Sequence, residues 1–187
     1  KGMGADIREE AGTIVIHGVS ELQDSVYEIP GDRIVAGTIL AAVGSCGGDV
    51  LLEHVEPEGL GCVLELLGQA GMELDVDRAG SRIRAKAAGP LPRGMELVTG
   101  PFPEFPTDLQ AIFMAMLSVA GSGSRIRETV FESRFRHVEQ LRRLGAKIEV
   151  SKDVARISGG SMLQGGLVEA QDLRAGAALV VAGLAAE

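Results

Sequence analysis

A cadence repeated along the chain limits its fold more than any other feature. Three segments each set a carboxylate near a helix start, continue as a helix rich in small apolar residues, and reach a glycine. They are DRIVAGTILAAVGSCGG from Asp32, TDLQAIFMAMLSVAGSGS from Thr107 and DLRAGAALVVAGLAAE from Asp172, with starts roughly 65–75 residues apart. The first two lead into β-rich runs, DVLLEHV and RIRETVF. Each run leads to an amphipathic segment, LGCVLELLGQAG or HVEQLRRLGA, with leucines at helical spacing. Those segments end on Gly71 and Gly145, in the manner of a helix C-cap, and two short strands follow each. The N-terminal GADIREEAGTIVIHGV reads as a further copy of the closing strand–turn–strand. Units of this kind cannot bury their faces alone, so neighbours must pack together. Alternating strands and helices give an α/β or α+β class.

Helices are expected over residues 34–44, 60–70, 109–120 and 137–144, with a last one from Leu173. Residues 14–17 and 27–28 are expected to be extended, and strands are expected over 50–55, 96–99 and 125–130, with a short one at 167–169. Hairpins are expected from 74–77 with 82–86 and from 148–150 with 155–158. The sequence thus holds a closing hairpin, two full units and the opening of a third. Gly-Ser-Gly-Ser at 121–124 is a helix exit and not a phosphate loop, because a strand follows where such a loop needs a helix.

Composition excludes several classes. Hydrophobic residues make up 45% of 187, enough for a buried core, while aromatics are 3% and Trp is absent, so the core must be aliphatic. No apolar run approaches the ~18 residues of a membrane span, and no signal-peptide pattern is present. A net charge of −8 argues against nucleic acid as a partner. Cys46 and Cys62 lack metal-ligand spacing, as do His17, His54 and His137, so no metal site is expected. Cys62 falls in a helical apolar pattern, and Cys46 reads as a small, partly buried residue at a helix end.

The stretch PFPEFPTDLQ (101–110) has three prolines in six residues, then Thr107-Asp108 and an apolar run. Proline fixes its own φ, has no N–H, and drives the preceding residue towards extended geometry. A stiff extended connector into an N-cap and a buried helix is therefore expected. Asp108 either caps that helix or presents an immobilised carboxylate at its start. Arg134 follows a strand in ETVFESRFRH, and Asp172-Leu173-Arg174 opens the last helix. These arginines either form surface ion pairs with Glu128, Glu132 or Asp172, or gather where helix starts converge and hold an anionic, phosphorylated ligand.

Together, PFPEFPTDLQ, ETVFESRFRHVEQLRRLGA, DLRAGAALVVAGLA and IPGDRIVAGTILAA resemble the UDP-N-acetylglucosamine 1-carboxyvinyltransferase family, over nearly the whole chain and in order. The resemblance implies an inside-out α/β barrel, two globular domains of three β-α-β-α-β-β units each, with the active site in the cleft between them. Residues 1–25 would then be the tail of a neighbouring domain, and 26–187 an incomplete domain of two full repeats plus the head of a third. The implied reaction moves the enolpyruvyl group of phosphoenolpyruvate to the 3′-hydroxyl of UDP-N-acetylglucosamine and releases phosphate, in cytoplasmic peptidoglycan precursor synthesis, with no cofactor. By position in the motifs, Asp108 resembles the base that takes the hydroxyl proton. Arg134 and Arg174 resemble cleft arginines facing phosphoenolpyruvate, Asp172 an orienting neighbour, and Val130 with Phe131 the segment against the nucleotide sugar.

Three departures stand out: Ser133 where the family has Asn, Gly176 where it has Ser, and Glu104 in place of a small residue. The family's mobile loop with its catalytic acid, and its further Lys and Arg clamps, are not found here. The implied partner is therefore the missing N-terminal domain of the same enzyme, and this chain alone is expected to be inactive. Residues 4–19 are expected to dock where a third closing hairpin belongs, or to be exchanged between two chains. The competing readings are a non-catalytic nucleotide-sugar-binding module and a purely structural repeat domain.

Overall fold

A computed structural model of the chain describes residues 1–132 and 134–187. It divides into two units, Lys1–Pro30 and Gly31–Glu187. In the first, β1 (Asp6–Glu10) and β2 (Thr13–His17) pair antiparallel, with Glu10 opposite Thr13. Ala11 and Gly12 between them both take positive φ, 46° and 77°. That conformation matches the right-handed twist of a two-residue hairpin.

The second unit opens with α1 (Arg33–Cys46), β3 (Gly48–Glu53), α2 (Gly61–Ala70), β4 (Glu73–Asp77) and β5 (Arg82–Ala87). It continues with β6 (Glu96–Val98), α3 (Gln110–Val119), β7 (Ser124–Arg127), α4 (Val138–Arg143), β8 (Ile148–Ser151), β9 (Val154–Ile157) and α5 (Leu173–Leu184). The helix–strand–helix–hairpin cadence runs through twice and then opens a third time.

The opening helices of the three repeats, α1, α3 and α5, pack on one another in the interior. Every residue of α3 is buried, as expected of a helix apolar on all sides. Gly37 of α1 permits the closest approach: a Cβ there would overlap the Leu109 side chain at the foot of α3. Sheets lie outside these helices. The antiparallel β3-β5-β4 sheet covers α1, and the β6-β7-β9-β8 sheet, with β6 and β7 parallel, lies on α3. Alternation fixes each face: Ile83 and Ala85 of β5 are buried, while Arg84 points outward to pair with Asp49 at 2.9 Å. Helix α2 buries Val63, Leu64, Leu67 and Ala70 and stops at Gly71, whose φ of 109° makes the left-handed cap. The mixed helix-and-strand class is the one expected from the repeats, and helices inside sheets is the arrangement the resemblance implied.

Four local expectations are corrected. Residues 167–169 form no strand; β6, at the same place in the preceding repeat, pairs with β7, and among the described residues no strand pairs with 167–169. Strand β7 stops at Arg127 and not at 130, because the Val130 and Phe131 N–H groups turn to the Glu128 side chain. Cys46 is exposed, not partly buried, and Cys62 is half-buried against the core. The proline-rich stretch is no extended connector. The Glu104 N–H donates to the Pro101 carbonyl at 2.9 Å and the Gly100 N–H to that of Phe105 at 3.0 Å, so the chain folds back on itself. Among the described residues, no helix is long and apolar enough to cross a membrane.

Candidate active site

Asp108 is held in place from both sides along the chain. Before it, Phe105 is buried and packs edge-on against Phe113 of α3, with ring centroids 5.0 Å apart. Such a pair contributes about 0.5–1.5 kcal/mol beyond its buried area. After it, Leu109 is fully buried in the core. Thr107–Leu109 forms a single 3-10 turn ahead of α3. Neither Thr107 nor Asp108 caps the helix with its side chain, so a capping role for Asp108 is set aside.

The Asp108 carboxylate instead receives two arginines. Arg174 Nη2 donates to Oδ2 at 2.7 Å and Arg134 Nη2 donates to Oδ1 at 2.9 Å. Surface ion pairs with Glu128, Glu132 or Asp172 were the alternative for these arginines; among the described residues both pair with Asp108. Arg134 also donates from Nη1 to Thr107 Oγ1 at 2.7 Å, and its guanidinium lies 4.9 Å from the Phe131 ring centroid. The two arginine side chains are about one-quarter exposed and that of Asp108 is 38% exposed, which leaves the carboxylate reachable. Asp172 stands apart from this cluster. It is the N-cap of α5, accepting the Ala175 N–H at 2.8 Å, and so sets the helix turn from which Arg174 reaches Asp108.

Two cavities flank the cluster. One, of about 340 Å³, is lined by Arg134, Arg136, His137, Asp172 and Arg174. The other, of about 350 Å³, is lined by Arg33, Phe102, Thr107, Asp108 and Val130. Phe131 borders both. The carboxylate therefore opens to one side and its two arginine partners to the other. Val130 and Phe131 are exposed at this boundary.

Charge in the cluster is firmly set. Burial works to raise the Asp108 pKa, but the hydrogen bonds from Arg174 and then Arg134 outweigh it and hold the carboxyl below its usual range. An ionised carboxylate offers about four lone-pair sites, of which the arginines occupy two. The others can accept a hydroxyl hydrogen, while the arginines supply positive charge for an anion. Burial lowers His137 to about 4, with Asp172 opposing and Arg134 assisting, so it is neutral beside the three arginines. Its Nε2 has no partner among the described residues.

Glu128 is the site residue whose role sequence reasoning missed. It is 3% exposed and accepts Thr99 Oγ1–H at 2.9 Å and Thr107 Oγ1–H at 2.8 Å. It also accepts the N–H groups of Val130 and Phe131 at 2.9 and 3.1 Å. The available signal was the carboxylate inside ETVFE, directly after a strand and followed by residues that must turn. Ser133 lies outside the described residues. Gly176 leaves only ordinary contact space, to Ala170 Cβ at 3.5 Å.

Residues 1–187 match the family described as EPSP synthase (3-phosphoshikimate 1-carboxyvinyltransferase). The proteins named UDP-N-acetylglucosamine 1-carboxyvinyltransferase from Brucella ovis and Brucella canis are each 49% identical over 187 residues, covering 99% of this chain and 43% of the relative. The crystal structure of the enolpyruvyl transferase NikO from Streptomyces tendae superposes with a TM-score of 0.83 at 28% identity, covering 99% of this chain and 44% of that one. The EPSP synthase of Acinetobacter baumannii, at 18% identity and a TM-score of 0.66 over 86% of this chain and 38% of its own, shares the fold. The chain thus spans less than half the length of these relatives.

Proposed function

The chain belongs to the EPSP synthase family, and we propose that it is part of an enzyme moving the enolpyruvyl group of phosphoenolpyruvate to the 3′-hydroxyl of UDP-N-acetylglucosamine. The observation that carries this reading is the Asp108 carboxylate, held by Arg134 and Arg174 with lone pairs still open to a cavity. Relatives at 49% identity bear the name of that activity.

In this reading the sugar hydroxyl donates to Asp108 and its oxygen bonds to the central carbon of phosphoenolpyruvate. The hydroxyl proton passes to the carboxylate and the methylene carbon takes a proton from an acid outside this chain; the methyl group so formed then gives a proton back to a base as phosphate leaves and the double bond reforms. Arg134 and Arg174 face the anionic phosphoenolpyruvate, fixed guanidinium groups being suited to carboxylate and phosphate. Val130 and Phe131 form the wall against the nucleotide sugar, and Asp172 fixes the turn that aims Arg174. The remaining partner is the rest of the same polypeptide, which supplies the acid and the further cationic clamps. Residues 1–25 belong to its neighbouring domain, and the isolated 187-residue chain is inactive. The reaction is soluble, peptidoglycan-precursor chemistry.

The test is phosphate release by the full-length protein with both substrates. Asp108→Asn keeps the shape and removes the base, so release falls by about 10²–10⁴-fold. Wild-type rates in that variant would overturn the assignment.

A further inference from the structure

We propose that Glu128 is a positioning residue that, through a hydrogen-bond relay by way of Thr107, sets Arg134 against Asp108; this rests on the reading that Asp108 and Arg134 serve the reaction. Its side chain gathers donors from three segments: Thr99 at the end of β6, Thr107 in the 3-10 turn, and Val130 with Phe131 in its own turn. An ionised carboxylate can only accept. The Thr107 hydroxyl hydrogen is therefore committed to Glu128, and only its lone pairs face Arg134 Nη1, 2.7 Å away. Arg134 is the donor at the centre of this chain: it donates to Thr107, which donates on to Glu128, and it donates separately to Asp108, so a carboxylate stands at each end.

The same carboxylate acts on Arg134 a second time. By accepting the Val130 and Phe131 N–H groups it fixes the turn that places the Phe131 ring beneath the guanidinium. One edge of Arg134 is thus set through Thr107 and one face through Phe131. No Lys or Arg pairs directly with Glu128 among the described residues. With Glu128 accepting on one side and Arg134, which can only donate, on the other, the Thr107 hydroxyl is held in a single sense.

The experiment measures kcat and KM of the full-length enzyme with Glu128→Gln, Thr107→Val, Thr107→Ser, Glu128→Gln/Thr107→Val and Asp108→Asn. In Glu128→Gln the amide nitrogen faces Thr107 as a donor, so the hydroxyl hydrogen loses its acceptor and turns, and the Thr107 oxygen that held Arg134 is shared with the amide. With a catalytic group misplaced, kcat falls by about 100-fold while KM moves little. Thr107→Val falls similarly, Thr107→Ser recovers most of that loss, and the double variant is no worse than either single one. A merely structural Glu128 gives additive losses instead, which overturns the relay. Folded Glu128→Gln with wild-type kcat, beside an impaired Asp108→Asn, overturns it too and leaves the proposed function intact. Wild-type kcat in Asp108→Asn overturns the function on which the relay depends. Should Glu128→Gln not fold, the Thr107 pair decides: equal activity of Val and Ser variants overturns the relay.

Discussion

The Asp108 carboxylate and the Arg174 guanidinium, 66 positions apart in the chain, meet at 2.7 Å. One stands at the foot of α3 and the other in the first turn of α5. Packing of the repeats' opening helices is what brings them together. Arg134 arrives from the turn after β7 and completes the cluster.

The two arginines are not equivalent. Arg134 uses two nitrogens on two acceptors and lies over Phe131, whereas Arg174 donates to Asp108 through one nitrogen. A lysine can replace a point charge but not a planar fork. Arg134→Lys is therefore expected to lower kcat/KM of the full-length enzyme roughly tenfold more than Arg174→Lys, the difference of one charge-assisted hydrogen bond. Steady-state kinetics of both variants checks the order.

Acid weakens the fold through His137. Its folded pKa, about 4, lies below the 6.5 of a free histidine, so between these values the unfolded chain binds the extra proton. Stability is fully present above about pH 6.5 and declines as pH falls towards 4, by up to about 3 kcal/mol in total. The Asp108 pairs act in a lower window, since that carboxyl is held below its ordinary 3.8. Their contribution persists above the unfolded pKa and is lost as pH falls through the folded one. Urea midpoints at about pH 7 and about pH 5 should differ in the wild type and converge in His137→Gln.

Capping distinguishes the three repeats. Asp32 accepts the Ile34 N–H at 2.7 Å and Asp172 the Ala175 N–H at 2.8 Å, while Asp108 caps nothing. Asp32→Ala and Asp172→Ala should each cost about 1 kcal/mol of stability. Asp172→Ala should also lower kcat, because Arg174 loses the turn that aims it; Asp32→Ala should not. Denaturant titration and kinetics on the same variants separate the two effects.

Gly37→Ala is expected to destabilise although alanine is the better helix former. The added methyl meets the Leu109 side chain, which is fully buried and cannot swing away. Overpacking costs about 1–3 kcal/mol against about 1 kcal/mol of helix propensity, a net loss near 1 kcal/mol. Leu109 adjoins Asp108, so kcat should fall as well. An unchanged melting temperature together with an unchanged kcat would contradict the close α1–α3 approach.

Much of the architecture was legible because periodicity is a local property. The largely apolar run 109–120 reads as a buried helix, and RIRAKA, with its alternation, as a strand of a hairpin. The failures share one cause. Residues 167–169 have strand-like composition, but a strand exists only with a ladder partner, and composition does not supply one. The proline-rich stretch is stiff, as its prolines require, yet the hydrogen bonds of Glu104 and Gly100 turn it back on itself.

By itself the sequence determined the repeat, the buried helix after Thr107, and the charged residues available at the repeat corners: Asp108, Arg134, Asp172 and Arg174. Their hydrogen-bond partners were decided only by the tertiary structure. Asp108 could have capped a helix, Arg134 and Arg174 could have paired with nearer carboxylates, and Glu128 could have been one of those. Short-range pattern records which side chains occur every few residues, but a carboxylate's partner is set by distances between segments tens of residues apart. Here the packing of α1, α3 and α5 fixed those distances. It joined Asp108 to two arginines and left Glu128, buried, to orient Thr107.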